Sequence, residues 1–332
     1  MAGLHVERVV RRFREPLVTA FGAIAERETL TVTLTGDDGA VGVGEAAPLE
    51  PYDGVSIEAV EAALAAYAQA ISGLDDGQQV LDACIEVAPL PQALAAVDLA
   101  LWDRASRRES RPIAAMLSDT PLDRVGVNAT IGALDPDAAG EAADRAVAAG
   151  FSCLKVKVGT GDDEPRLAAV RAAAGPGVAI RVDANGAWTV EQAADLLPRI
   201  DEAAGGLELC EEPVHGTAAL KRVAALVPSV TIASDESGLD GAPTVCLKLS
   251  RSGGISTLCA QATFVDAQGG KVYLSSTFDG PIGITAALHC AAALEVELAC
   301  GLATLDVFDG PVPDALVPVD GTIALPAGLG LH

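Results

Sequence analysis

The chain has 332 residues, of which 50% are hydrophobic, 3% aromatic and 20% charged. That length suits two domains, and the composition belongs to a folded, Ala/Val/Leu-rich protein rather than a disordered one. A formal net charge of −24 excludes nucleic acid and anionic membrane surfaces as partners, because both would repel it; a small carboxylate substrate in a locally cationic cleft is still allowed.

The opening stretch MAGLHVERVVRRFREP interleaves arginines with apolar residues and does not read as a secretory leader. No apolar run approaches the ~20 residues needed to span a bilayer. The 7 cysteines are scattered and never form CxxC. Cys153, Cys210 and Cys246 fall inside expected strands, where a reduced cysteine serves as a small hydrophobe. These features lead us to expect a cytoplasmic protein without disulfides or a zinc site, and self-association into a homo-oligomer is compatible with them.

In chain order, ETLTVTLTGDDGAVGVGEAAP predicts two alternating strands joined at Asp-Asp-Gly. SIEAVEAALAAYAQAI and LPQALAAVDLALWDRAS predict Ala-rich helices opened by Ser and Pro. Residues 1–120 therefore read as an α+β domain. From Val125 the pattern becomes strand then helix, repeatedly, with strands expected at VGVNATIG, CLKVKVG, AIRVDANG, LELCEEPV, VTIASDES, TVCLKLS, KVYLSST and ELACGLAT. Eight strands alternating with helices over about 180 residues predict a (β/α)8-type barrel across 121–308. The spacing is regular, 28 residues from Lys155 to Asp183 and again to Glu211, but only 13 from Asp235 to Lys248. A full crossover helix does not fit there, so a gap or a single turn is expected in the helix ring. The tail, 309–332, carries a short strand in GTIALP and is expected to pack back on the first domain.

Function in such barrels sits at the C-terminal strand ends. Read in order, those ends carry Lys155 and Lys157, Asp183, Glu211, Asp235 and Lys248. A lone Lys-x-Lys suggests a solvated strand face, and Asp183 or Asp235 alone suggests a turn or helix cap. Three carboxylates on consecutive strand ends, with lysines on either side, fit those readings poorly. The chain has only five lysines, Lys155, Lys157, Lys221, Lys248 and Lys271, so a lysine here is less apt to be surface decoration. Three carboxylates without histidine make a hard oxygen site that selects Mg²⁺, or Mn²⁺, over zinc. A substrate carboxylate there can lose its α-proton to a neutral lysine, the cation stabilising the resulting enediolate. Lys155 beside Lys157 is expected to depress the pKa of Lys157 and make it that base.

As an ordered set, TAFGAIAERETLTVTL, GVGEAAP, LKVKVG, RVDANGAW, CEEPV, ASDES, LKLSRSGGI and PAGLGLH resemble the enolase superfamily in its muconate-cycloisomerase-like subgroup. The resemblance covers nearly the whole chain. It implies a modified TIM barrel, (β/α)7β, with an α+β capping domain formed by the N-terminal region and the C-terminal tail. It implies Asp183, Glu211 and Asp235 as Mg²⁺ ligands, Lys157 and Lys248 on opposite sides of the substrate, and Lys155 on its carboxylate. Asn185, Glu236, Thr130, Ser275 and Ser276 are candidates to touch substrate or support those groups. Within the superfamily, SSTFDGPIGITAALHCAAAL followed by ACGLATLD is similar to o-succinylbenzoate synthases. Dipeptide epimerases carry Asp-x-Asp at strand eight to grip an ammonium, where this chain has Gly301-Leu302-Ala303. The resemblance thus implies a lyase that forms o-succinylbenzoate by syn-dehydration in menaquinone biosynthesis. The alternatives are an N-acylamino-acid racemase, a dipeptide epimerase or another cycloisomerase.

Overall fold

The computed structural model describes residues 1, 3–19 and 22–332; Ala20 and Phe21 of the quoted TAFG stretch lie outside the described residues. Strands β1 (Gly3–Thr19), β2 (Gly22–Thr35) and β3 (Val41–Ala46) form an antiparallel sheet in that order. The turn from β2 to β3 is the expected one, with Gly36 N–H donating to Ala40 O at 2.8 Å and Gly39 at φ +78°. Strand β1 had no counterpart in the sequence reading. Its apolar residues are broken up by arginine and glutamate, some of which pair across the surface, Arg12 to Glu26 at 3.0 Å and Arg8 to Glu61 at 2.8 Å. Leu30, Val32 and Leu34 on β2 are fully buried. The helices Ile57–Ala70 and Pro91–Glu109 begin at the expected Ser56 cap and Pro91. Helix Pro91–Glu109 lies so close on β3 that a Cβ at Gly42 would meet Ala100 O at 2.0 Å, and one at Gly44 would meet Ala96 O at 1.9 Å. Only glycine permits that approach.

Eight further strands follow the cap: β4 (Arg124–Gly126), β5 (Ala129–Ile131), β6 (Cys153–Lys157), β7 (Ala179–Asp183), β8 (Leu209–Glu211), β9 (Ile232–Ser234), β10 (Thr244–Leu247) and β11 (Lys271–Leu274). Strands β5 to β11 form one parallel sheet whose order follows the sequence. Expected strand eight shrinks to two parallel bridges, Val127 with Cys300 and Ser275 with Gly301. Asn128 N–H to Cys300 O at 3.0 Å and Gly301 N–H to Leu274 O at 2.8 Å tie the two sheet edges together through it. The curled sheet, its outer helices and the antiparallel cap give the expected modified barrel. The outer ring lacks a helix between β9 and β10, as the 13-residue spacing requires.

Strand β12 (Thr322–Ala324) pairs antiparallel with β4, so the tail's strand adds to the barrel side rather than to the cap sheet. Its last residues return to the cap helix, Leu331 N–H donating to Asp103 Oδ1 at 2.5 Å. Cap and barrel interlock through polar contacts. Helix Ile255–Ala267 begins at Gly254, which has no side chain to cap it. Asp98 of the cap helix supplies the cap instead, accepting from Ser256 N at 3.0 Å and Oγ at 2.6 Å. No helix among the described residues is long and apolar enough to cross a membrane.

Beneath the tail, His289 of helix Pro281–Ala293 is fully buried, its Nδ1 accepting Ala114 N–H at 3.3 Å and its Nε2 unpartnered. Burial depresses its pKa to about 4, against roughly 6.5 in the unfolded chain. Between those values the unfolded chain takes up a proton that the native state refuses. This contribution is therefore complete above pH 6.5 and is lost as pH falls toward 4. We predict that His289→Leu flattens the loss of stability over that window, the difference between the two proteins' unfolding free energies in urea changing by up to about 3 kcal/mol. Parallel slopes would contradict the assignment.

Candidate active site

Strand register brings the candidate residues to one end of the barrel. Lys157 pairs with Asp183 across β6 and β7, and Asp183 with Glu211 across β7 and β8. Asp235 and Lys248 immediately follow β9 and β10. Leu154 and Val156, the alternate residues of β6, are fully buried with Leu167 and Val170 of an outer helix, so Lys155 and Lys157 share the inner face. Lysines on β6 and β10 thereby flank an arc of three carboxylates on β7, β8 and β9. The face is not a solvated edge: side-chain exposure is 11% at Lys155, 7% at Lys248 and 34% at Lys157.

Asp183 Oδ2 accepts from Lys155 at 2.9 Å and from Lys157 at 2.6 Å. Lys155 also donates to Glu211 Oε1 at 2.7 Å. Lys157 donates to Asn185 Oδ1 at 2.5 Å, and Asn185 Nδ2 reaches Glu236 Oε1 at 3.3 Å. Across the site, Lys248 is paired with Asp235 Oδ2, and Arg251 with Asp235 Oδ1 at 3.2 Å. Burial opposes the charge on Lys155, but Asp183 and Glu211 outweigh it and hold the ammonium protonated. Asp235 does the same for Lys248. Asp183 is buried too, yet Lys155 and Lys157 drive its carboxyl below the ordinary range. Glu211 goes the other way, because burial and the neighbouring Asp183 and Asp235 charges outweigh Lys155. Burial, then Asp235, lifts Glu236 to about 7.

Lys155, Lys157, Asp183, Asn185, Glu211, Asp235, Glu236 and Lys248 therefore meet in one cluster. Thr130, Ser275 and Ser276 lie at neighbouring strand ends but hydrogen-bond elsewhere. Thr130 Oγ1 accepts from Asn128 at 3.4 Å, Ser275 Oγ donates to Gly301 O at 3.5 Å, and Ser276 shares a bond with Thr304 at 2.8 Å. Several contributors had no place in the sequence reading. Tyr273 of β11 donates its hydroxyl to Glu211 Oε2. Buried Arg181 stacks over the Tyr273 ring at 5.0 Å and pairs with Glu208, flooring the barrel. Tyr52 of the cap reaches Asp235 Oδ2 at 2.9 Å. Composition held a signal for the tyrosines: the chain has 3, and two place their hydroxyls on this cluster.

The donor set fits a hard divalent cation. Carboxylate oxygens of Glu211 and Asp235 lie within 4.8 Å of each other and of the Cys246 sulfur. Burial holds the Cys246 thiol well above its usual pKa, so it is a neutral, soft neighbour beside hard oxygen donors. Glu236 Oε2 is shielded from solvent without a hydrogen-bond partner, a polar atom for which a cation or its water would supply the missing contact.

Residues 138–331 match the model of the enolase C-terminal domain-like family, and residues 1–118 match the mandelate racemase/muconate lactonizing enzyme N-terminal domain. The L-Ala-D/L-Glu epimerase of Bacillus subtilis is 29% identical, with 99% of this chain and 95% of that protein aligned. The o-succinylbenzoate synthase of Thermobifida fusca is 36% identical over 60% of this chain and 66% of its own length. The crystal structure of a dipeptide epimerase from Enterococcus faecalis, complexed with Mg and L-Leu-L-Tyr, superposes with a TM-score of 0.92 at 26% identity, covering 99% of this chain and 98% of that one. Spanned by both domain models and carrying the modified barrel with its cap, the chain belongs to the enolase superfamily.

Proposed function

We propose that this chain is a Mg²⁺-dependent racemase or epimerase that moves the α-proton of an N-acylated amino acid. The observation that carries the reading is the pair of lysines at the two ends of the carboxylate arc, Lys157 on β6 and Lys248 after β10. Racemisation needs a proton acceptor on one face of the α-carbon and a donor on the other, and these two positions supply them. Full-length similarity to epimerases supports the same reading. Asp183, Glu211 and Asp235 would hold the cation. Bound there, Mg²⁺ would supply positive charge to the substrate carboxylate and lower the cost of the charge that builds when the proton leaves. Lys155, buried and held protonated, would add a second fixed positive charge beside that carboxylate.

The strand-eight segment narrows the substrate. The bridges at Cys300 and Gly301 fix its register, and the residues that follow are Leu302 and Ala303. Asp306 lies farther on, exposed in the 3-10 turn Leu305–Val307. A free ammonium lodged against Leu302 and Ala303 would go unpaired, at a cost of several kcal/mol. An amide nitrogen avoids that cost, which favours an N-acyl group over a free N-terminus. The same uncharged segment, with the 36% identity to synthases, supports a second reading as an o-succinylbenzoate synthase. There Lys157 would remove the α-proton and then, as its conjugate acid, protonate the leaving hydroxyl on the same face, and Lys248 would act through charge alone.

In deuterated solvent, with N-succinylphenylalanine of each hand, Ala-Glu dipeptide and the synthase substrate, we predict α-deuterium incorporation from both hands of the N-succinyl compound and slower turnover of the other two. Efficient dehydration with negligible exchange at either hand would install the synthase reading. Neither exchange nor dehydration with any of the substrates would remove enolisation altogether. In the racemase, Lys248→Arg abolishes exchange at one hand, because arginine stays protonated.

Asn185 positions the Lys157 ammonium from a backbone at φ +43°. Asparagine tolerates that conformation, whereas alanine pays about 1 kcal/mol for it and glycine does not. Asn185→Gly and Asn185→Ala should therefore lose similar amounts of exchange activity, while only the alanine variant drops in stability by about 1 kcal/mol. Equal stabilities with unequal activities would reverse the assignment.

A further inference from the structure

The cap sends one aromatic side chain into the lysine–carboxylate cluster, and it engages one side only. Tyr52 sits on the single helical turn Glu50–Asp53. Its hydroxyl donates to Asp235 Oδ2 at 2.9 Å and accepts from Lys248 Nζ at 2.6 Å and Arg251 Nη1 at 2.9 Å. One O–H and two lone pairs are thus all used. The ring also lies under the Lys248 ammonium, 4.6 Å from its centroid. By contrast, Lys157 is held by Asp183 and Asn185, both from the barrel.

The turn bearing Tyr52 is itself pinned. Asp53 Oδ2 accepts from Leu49 N at 3.1 Å and from Gln92 Nε2 at 3.0 Å, while Asp53 Oδ1 accepts from Val55 N at 3.0 Å. Gln92 belongs to helix Pro91–Glu109, the element whose Asp98 caps a barrel helix. Gly54, at φ +72°, ends the turn in the left-handed conformation. The hydroxyl is thereby delivered at a fixed height over β9 and β10.

We propose that Tyr52 is a positioning residue for Lys248, placing its ammonium for proton transfer on one face of the substrate while leaving the Lys157 face independent of the cap. The two proton transfers of an otherwise symmetric pair then answer to different domains. This rests on the racemase reading, in which Lys248 carries a proton. Losing the hydroxyl removes two charge-assisted hydrogen bonds from cations and leaves Lys248 anchored by Asp235 and the ring face alone. The loss of even one such bond is worth at least about tenfold.

The test is Tyr52→Phe, which keeps the ring. Deuterium exchange into each hand of N-succinylphenylalanine is measured in wild type, Tyr52→Phe, Lys157→Ala and Lys248→Ala, the last two assigning a lysine to each hand. The expected result is a loss of about tenfold or more at the Lys248 hand and less than twofold at the other. A general loss of structure would slow both hands alike, and equal slowing or none overturns the proposal. With lysine labelled at the ε-carbon, the five signals give a readout that needs no turnover. The signal missing from Lys248→Ala should shift in Tyr52→Phe while that of Lys157 stays in place. If wild type exchanges neither hand, the racemase reading fails, and the lysine spectrum decides alone: a shifted Lys248 signal upholds the positioning, and an unmoved one overturns it.

Discussion

Two ammonium groups share one carboxylate oxygen at the centre of this molecule. Lys155 and Lys157 both donate to Asp183 Oδ2, and almost everything else at the barrel mouth follows from the cost of burying those charges. Ions taken from water are tolerated only when paired and hydrogen-bonded. The chain meets that requirement with alternation. Going round the strand ends, cations on β6 meet anions on β7, β8 and β9, and Lys248 with Arg251 closes the far side. Four cations (Lys155, Lys157, Lys248, Arg251) stand against four carboxyl groups (Asp183, Glu211, Asp235, Glu236), so a chain of net charge −24 builds a nearly neutral site. Neutrality has a chemical use. Adding a divalent cation and a substrate carboxylate to a balanced cluster would change its charge little, and carboxylates that turned to the cation would release the lysines they hold.

The cap completes that balance. Tyr52 binds the Lys248 side, its hydroxyl bonded to Lys248, Arg251 and Asp235, and the cap is fastened to the barrel by buried contacts. Asp98 caps a barrel helix, Glu45 accepts Gly280 N–H at 2.6 Å, and Arg27 donates to Thr277 O at 3.0 Å. These are buried polar bonds across a domain junction, each costly to break without replacement. The polar face of the site is therefore assembled from both domains, although every charged strand-end residue comes from the barrel.

What could be read from sequence was what strand periodicity controls. A spacing of 28 residues carries Lys155 to Asp183 and Asp183 to Glu211, because each βα unit returns the chain to the same end of the sheet, and the observed register pairs those positions as neighbours. The missing crossover helix was legible for the same reason. Strand eight was legible in place, within ELACGLAT, but not in extent: it persists as two bridges at Cys300 and Gly301, where a Cβ on Gly301 would meet Ser275 Oγ at 2.4 Å. Strand β1 was hidden because Glu7-Arg8, Val9-Val10 and Arg11-Arg12 come in adjacent pairs that break the period of two. The roles of Tyr52, Arg251 and Tyr273 depend on packing between distant segments, and only the scarcity of tyrosine hinted at two of them. Tyr52 and Lys248 lie 196 residues apart.

The central claim is that Asp183, Glu211 and Asp235 act together as a cation site that the lysines otherwise neutralise. Calorimetric titration of Mg²⁺ into wild type, Asp183→Ala, Glu211→Ala and Asp235→Ala tests it without any choice of substrate. The account predicts one binding event in wild type and its loss, or at least about a hundredfold weakening, in each variant, since each removes one charged oxygen donor from a set of three. Unchanged Mg²⁺ affinity in any one of the three would show that its carboxylate serves only the lysines, and would contradict the account.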